Sequence, residues 1–170
     1  MDELDVCARS DIARVDLGRL VGVRVGRIGN QELAAASTQL GFRFDSDVNR
    51  WSGSAPRTLR LGPSEWIVVA SPHATRVSEA FAYTLHHVWD LADGYRAWKL
   101  CATLGADLLS LGCTLDFDAG SFPAGACTRT LIAQIDAIVF REESALTVII
   151  DTSSAHYFQA WLDDALAGLQ

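Results

Sequence analysis

Apolar residues in this chain recur with two periods, and each period predicts a different kind of element. Segments with β-branched residues, alternation or short continuous apolar runs predict strands. The predicted strands cover residues 15–25 (one or two strands), 58–61, 65–70, 88–91, 95–100, 128–134, 137–141 and 146–150. Gly62-Pro63-Ser64 and Ala92-Asp93-Gly94 are typical turn sequences, and the second predicts a hairpin between its flanking strands.

Four segments carry apolar residues at helical spacing. Leu33, Ala36 and Leu40 form one apolar face, with Asn30 as the expected N-cap and Gly41 as the expected C-terminal stop. The other predicted helices cover residues 75–87, 106–111 and 156–169. A cluster of cap-forming residues at 151–154 precedes the last helix, and the stretch 42–57 is predicted to be a loop.

The strand-to-helix unit at residues 68–81 aligns without gaps to that at residues 148–161. The helix ending at Leu40-Gly41 corresponds in the same way to the helix ending at Leu111-Gly112. Each half therefore consists of a strand, a helix, two strands and a helix. We predict an α+β fold of two ferredoxin-like β-α-β-β-α halves, at about 12–88 and 89–170, packed as a single domain.

Composition and charge narrow the classes of partner. Of the 170 residues 49% are hydrophobic and 21% charged, which is enough apolar material for a core. The net charge of −7 argues against binding to nucleic acid or an anionic membrane, because both need basic surfaces. The sequence contains no long apolar run, and its first residues are acidic, unlike a signal peptide. We therefore expect a cytoplasmic protein.

Residue types that often carry chemistry are present without a catalytic pattern. Cys7, Cys101, Cys113 and Cys127 form no C-x-x-C pair, so we expect free thiols and no zinc site. The adjacent pair His86-His87 cannot point both rings at one ion from a helix. We expect the carboxylates of Asp90, Asp93, Asp116 and Asp118 to serve turns and caps, and no Ser or Cys is tied by sequence to a base.

Five tryptophans stand out in a chain of this size. Each one alone is expected in the core, but as a set they also fit aromatic anchors for a protein partner, because tryptophan is favoured at interface hot spots. They are Trp51, Trp66, Trp89, Trp98 and Trp161.

Several segments together resemble a known family. They are LGPSEW at 61–66, WDLADGYR at 89–96, LGCTLD at 111–116, FPAGACTRT at 122–130, and residues 153–162. In order and spacing they resemble the gamma subunit of heterotetrameric sarcosine oxidase. The sequence departs from the family pattern at Ala92, where the family has Ser, and at Cys101-Ala102-Thr103, where it has Ser-Gly-Pro. A complex that oxidises another N-methylated amine fits equally well.

The resemblance implies a fold and a role. The fold is the folate-binding domain of the aminomethyltransferase (glycine-cleavage T-protein) superfamily, a duplicated α+β unit. The role is that of a non-catalytic gamma-type subunit, beside larger alpha and beta flavoprotein subunits and a small delta subunit. It implies that flavins, NAD and tetrahydrofolate are held by partner subunits, and that the complex oxidatively demethylates sarcosine or another N-methyl amine.

Two sets of residues are therefore candidates for function. Trp51, Trp66, Arg96 and Phe122 are the candidates for a partner interface. Asp90 and Asp93 are the candidates for a folate pocket, which belongs to the alternative of a stand-alone tetrahydrofolate-binding protein or one-carbon transferase. A third alternative is a domain that associates with itself. No residue is predicted to bind a metal or to act in catalysis.

Overall fold

Two five-stranded antiparallel sheets carry the fold, which a computed structural model describes for residues 12–44 and 47–169. The strands are β1 (Ile12–Val15), β2 (Val21–Val25), β3 (Arg50–Gly53), β4 (Arg57–Gly62), β5 (Glu65–Val69), β6 (His86–Asp90), β7 (Tyr95–Cys101), β8 (Cys127–Ile132), β9 (Ile135–Arg141) and β10 (Ala145–Asp151). The α-helices are α1 (Asn30–Leu40), α2 (Ala74–Glu79), α3 (Ala102–Ser110) and α4 (Ala155–Gly168).

The chain divides into two units. The N-unit comprises residues 17–92, and its sheet has the strand order β3-β4-β5-β2-β6. The C-unit comprises the described residues 12–16 and 93–169, and its sheet has the order β1-β7-β10-β9-β8. Read from opposite ends the two orders correspond strand for strand, which confirms the duplicated α+β fold and adds one strand to each half.

The edge strands are exchanged between the repeats. β1 precedes β2 along the chain but pairs with β7, from Ile12 opposite Leu100 to Val15 opposite Ala97. β6 precedes β7 but pairs with β2, from Val21 opposite Asp90 to Val25 opposite His86. β1 therefore lies in the C-unit sheet, although the predicted first half includes it, and the units divide at 92/93 rather than 88/89. The single domain stays a prediction.

Aromatic side chains fill the core between the N-unit sheet and its helices. Trp66 is completely buried, and Phe44 meets its ring edge-on with centroids 6.0 Å apart. Phe44 also meets Phe81 edge-on at 5.3 Å. α1 has the predicted extent, and Gly41 ends it in the left-handed conformation (φ 79°) while donating to the Ser37 carbonyl. Its N-cap is Gly29 rather than the predicted Asn30.

The C-unit core is built in the same way around Trp98. Its ring is 1% exposed and meets Phe158 of α4 with centroids 4.9 Å apart. The indole Nε1 donates to Gln159 Oε1 at 2.7 Å, so the polar edge of a buried ring has its partner. Asp151 Oδ1 accepts from the Ser153 backbone N–H at 2.8 Å and so caps a short 3-10 turn at Thr152–Ser154, whereas Ser154, the N-cap of α4, makes no side-chain cap bond.

Three local predictions are wrong, each because tertiary pairing overrides the local pattern. The helix predicted at 75–87 ends at Glu79, because Thr84 bonds back to the Phe81 carbonyl and the chain then joins the ladder of β2. The predicted Asp93-Gly94 hairpin is a short 3-10 turn, since β6 and β7 belong to different sheets. The predicted loop at 42–57 contains β3, which pairs with β4. α3 also begins earlier than predicted, at Ala102.

Candidate functional site

The folate candidates Asp90 and Asp93 lie in different units. Asp90 ends β6, and its carboxylate is ion-paired with the guanidinium of Arg19. Asp93 is exposed, and its main-chain carbonyl accepts from Arg96 Nη1 at 3.1 Å and from Thr152 Oγ1 at 2.7 Å. The structure thus gives Asp90 an ion-pairing role and Asp93 a turn role.

Of the four predicted interface residues, two are core residues, which corrects the prediction for them. Trp66 is 0% exposed and Phe122 is 6% exposed, with its ring edge-on to Phe117 at 5.3 Å. Trp51 and Arg96 are half-buried. The guanidinium of Arg57 lies 4.2 Å from the Trp51 ring centroid, a cation–π contact at the β3 edge of the N-unit sheet.

The cysteines depart in part from the expected free thiols. Cys113 and Cys127 are free, whereas Cys101 is disulfide-bonded. Cys101 is half-buried at the end of β7, and the spacing of cysteines along a sequence does not show which of them the fold brings together. Within residues 12–44 and 47–169, no three His, Cys, Asp or Glu side chains come together as metal ligands do.

The histidine pair lies on strand β6 rather than at a helix end. His86 is held by Ser78 Oγ at Nε2 (2.8 Å) and by the Thr84 carbonyl at Nδ1 (2.9 Å). His87 is exposed and stacks on the Trp89 ring at 5.2 Å. Successive strand residues point to opposite faces, so the two rings are directed apart and do not form a chelate.

Asp116 serves a turn, as predicted. Its carboxylate accepts from the Asp118 backbone N–H at 2.9 Å and from Ser121 Oγ at 2.5 Å. The Ser121 hydroxyl, and then the Asp118 N–H, hold the pKa of Asp116 below its ordinary value. In the same way the Ser153 hydroxyl, and then the Ser153 N–H, lower the pKa of Asp151. Both carboxylates are therefore ionised caps, without the raised pKa of a general acid.

An open groove of about 400 Å³ runs along α1 in the N-unit. Its lining consists of Asn30, Leu33, Ala34, Ser37, Arg43 and Phe44. The Ser37 hydroxyl is already used, since it donates to the Leu33 carbonyl and accepts from the Phe44 N–H. Asn30 and Arg43 are the remaining polar side chains, so the groove suits an apolar body with a negative group. Among the described residues that line it, none carries the carboxylate expected for a folate pocket.

A row of large side chains on β6 is the feature that the sequence analysis missed. Tyr83 is fully exposed and Leu85 is 86% exposed. Leu85, His87 and Trp89 follow at alternate positions on one face, while Tyr83 lies in the turn before the strand. We call Tyr83, Leu85, His87 and Trp89 the β6 row. Its period of two was present in the sequence, but the same segment also fits helical spacing, and the helix was predicted instead.

Charge is divided unevenly between the units. The sequence of the N-unit contains eight arginines and six acidic residues, a net charge of +2. The net charge of the whole chain is −7, so the residues outside the N-unit together carry a net charge of −9. The arginines Arg24 and Arg27, both exposed, lie on and just after β2, the strand next to the β6 row. The acidic balance of the sequence thus comes from residues outside the N-unit.

Comparisons with known proteins identify the fold. No protein-family profile and no curated protein matches the sequence. Among solved structures, the chain is similar to a chain of heterotetrameric sarcosine oxidase from Corynebacterium sp. U-96, solved in complex with pyrrole 2-carboxylate, at 21% identity and a TM-score of 0.82. The match covers 95% of this chain and 87% of that chain. This chain and the matched chain share one fold over nearly their whole lengths.

In the described part of this chain, no helix has the length and apolar content needed to span a bilayer.

Proposed function

We propose that this protein is an accessory, gamma-type subunit of a sarcosine oxidase-like flavoenzyme complex that oxidatively demethylates sarcosine or another N-methyl amine. The observation that carries the proposal is the likeness to a chain of a heterotetrameric sarcosine oxidase over 95% of this chain. The coverage of both chains means that they are similar in length, so the matched chain is also small. The sequence segments at 61–66, 89–96 and 122–130 support the same family.

The surface also supports a role in assembly. Tyr83 and Leu85 are large apolar side chains that a monomer gains nothing by exposing side by side. In this proposal the flavins, NAD and tetrahydrofolate are bound by larger alpha and beta subunits, and a small delta subunit completes the complex. The contribution of this chain is then structural, through surfaces that bind its partners.

Isolation of the complex tests this proposal. The tagged chain is purified from the cells that produce it, and the co-purifying proteins are identified by flavin absorbance and peptide mass. We expect stoichiometric recovery of a flavoprotein that oxidises an N-methyl amine. Recovery of the chain alone, under conditions that keep known enzyme complexes of that cell intact, would contradict the proposal.

Calorimetry with tetrahydrofolate distinguishes the alternative of a stand-alone folate-binding protein. The proposal predicts no heat of binding to the isolated chain up to millimolar ligand. A saturable heat that is lost in Arg43→Ala, at the groove along α1, would favour the alternative.

A further inference from the structure

We propose that β6 accepts an extended segment of a partner subunit as a further strand of the N-unit sheet, with the β6 row as its side-chain anchor. This inference rests on the proposed function and names the surface and the binding mode. β6 is the last strand in the order β3-β4-β5-β2-β6, and β2 is its one neighbour among the described residues. A sheet edge of this kind binds extended peptides through main-chain hydrogen bonds.

The ladder shows which main-chain groups face the open edge. Gly26 N–H donates to the Leu85 carbonyl at 2.7 Å, and Leu91 N–H donates to the Leu20 carbonyl at 2.9 Å. In an antiparallel pair, the residues that bond to one neighbour alternate with those that face the other side. The N–H and C=O groups of His86 and Val88 therefore point away from β2, where an added strand would bond to them.

Two members of the row are packed before any partner binds. The Trp89 ring lies directly over Gly22 of β2, where a side-chain Cβ would overlap it, and the His87 ring stacks on the Trp89 ring. The turn before β6 is fixed by Thr84 Oγ1, which donates to the Phe81 carbonyl at 2.8 Å. A side chain that is already packed in the free protein loses less conformational entropy when it is bound, which favours affinity.

The corresponding edge of the C-unit has different chemistry. β1 occupies the equivalent position beside β7, and its two exposed residues are Ala13 and Arg14. A small and a charged residue are typical of an edge that resists pairing. The exposed Tyr83 and Leu85 just before β6, and the exposed His87 within it, are therefore particular to this edge, and the shared topology does not require them.

Charge indicates the kind of partner segment. Arg24 lies directly opposite His87 on the same face, is 62% exposed and is ion-paired with Glu65 at 3.0 Å. Arg27 follows it and is exposed. The N-unit surface beyond β6 is thus basic, and an added strand with apolar residues beside Leu85 and Trp89 and a net negative charge is complementary to it. The partner is therefore a segment of a larger subunit that combines apolar residues with a net negative charge.

The test is a binding titration with the flavoprotein that co-purifies with the wild-type chain. The flavoprotein is produced separately, without this chain, and each variant of this chain is titrated into it. We expect Tyr83→Ser with Leu85→Ser to weaken binding by about 30-fold or more, as for a hot spot. Val88→Pro removes the outward N–H and should bind about 10-fold more weakly than Val88→Ala, which loses the same packing but keeps the N–H. Ala13→Ser with Arg14→Ser, on β1, should change binding by less than about 2-fold. Circular dichroism confirms that each variant is folded.

Backbone hydrogen exchange gives a second readout. Binding of the partner should slow exchange at the amides of His86 and Val88, and leave that of Ala13 unchanged. Equal affinity of Val88→Pro and Val88→Ala, or wild-type affinity of the Tyr83/Leu85 variant, would overturn the inference while the proposed function stands. A dimer of the isolated chain that Val88→Pro abolishes would also overturn it, because the occupant would then be a second copy. Failure of the wild-type chain to isolate any flavoprotein would remove both.

Discussion

The two sheets of this protein have the same strand order and differ at one edge. β6 in the N-unit exposes Leu85 just before the strand and His87 within it, whereas β1 in the C-unit exposes Ala13 and Arg14. In each unit the strand order is set by the pairing register of the strands and by the apolar residues that face the helices. The side chains at the edge contribute little to either, so they can differ without changing the fold. A surface difference between two repeats of one topology thus marks side chains that the fold itself does not require.

The largest expected effects test whether the two cores are equivalent. Trp66→Ala and Trp98→Ala should each reduce the free energy of unfolding by about 3–5 kcal/mol, because each removes a buried ring from the centre of its unit. Trp98→Ala also leaves Gln159 Oε1 without its indole donor, and Trp66→Ala removes the cation–π partner of Arg60. Urea denaturation measures both values. A loss well below this range in one variant alone would show that the two cores are not equivalent.

The next largest losses of stability are expected at two glycines that lie beneath tryptophans, one in each unit. A Cβ at Gly22 would overlap the Trp89 ring, and a Cβ at Gly112 would lie 2.6 Å from Trp161 Cζ2. We expect Gly22→Ala and Gly112→Ala each to cost about 1–3 kcal/mol of stability. Tryptophan fluorescence should shift to the red as each ring is displaced. Gly120→Ala, where nothing lies within 4 Å of the added Cβ, serves as the control.

A smaller effect should follow from exchanging the chemistry of the two edges. Leu85→Lys gives β6 a charge in place of an exposed leucine, and Arg14→Leu makes the opposite change on β1. Surface changes of this kind alter the free energy of unfolding by less than about 0.5 kcal/mol. We expect Leu85→Lys to weaken binding of the proposed partner flavoprotein and Arg14→Leu to leave it unchanged, as measured by titration of each variant. Equal affinity of the two variants would show that the edges are equivalent in this binding.

The smallest effect concerns acid stability, and we expect it in the C-unit. Asp116 and Asp151 both have pKa values lowered by hydrogen bonds to the carboxylate. A lowered pKa in the folded state contributes stability that is present above the unfolded value of about 3.9 and is lost as the pH falls through the folded value. Asp116→Asn with Asp151→Asn should therefore be less stable than wild type at neutral pH, and the difference should shrink below about pH 4. Urea midpoints between these pH values measure it.

The sequence predicts best those elements whose signals are local. α1 has a periodic apolar face and a glycine in the left-handed conformation after its last turn, and its extent was predicted correctly. The repeat was found because β5 and β10 are both followed by helices at equal spacing. Hydrogen bonds to a distant strand could not be predicted in this way. They decide that residues 86–90 form a strand and that β6 and β7 belong to different sheets.

The candidate site was predicted less well, for a related reason. Burial of a tryptophan depends on which face of its strand meets the helices, and a shift of one position reverses the faces. Trp66 points into the core, whereas Trp89 lies on the opposite face of the sheet over Gly22. The sequence therefore selected Trp66 and Phe122, which are buried, beside Trp51 and Arg96, and it did not indicate that Tyr83 and Leu85 are exposed.

The exchanged edge strands have a consequence for folding during synthesis. All strands of the N-unit lie within residues 21–90, so that sheet can be completed before the rest of the chain has been made. β1 leaves the ribosome earlier, but its partner β7 follows more than eighty residues later, and closing so long a loop is slow. During that interval β1 is an apolar strand without its sheet, and its exposed Arg14 helps to keep it from wrong pairings. The charged edge thus protects the chain before the fold exists.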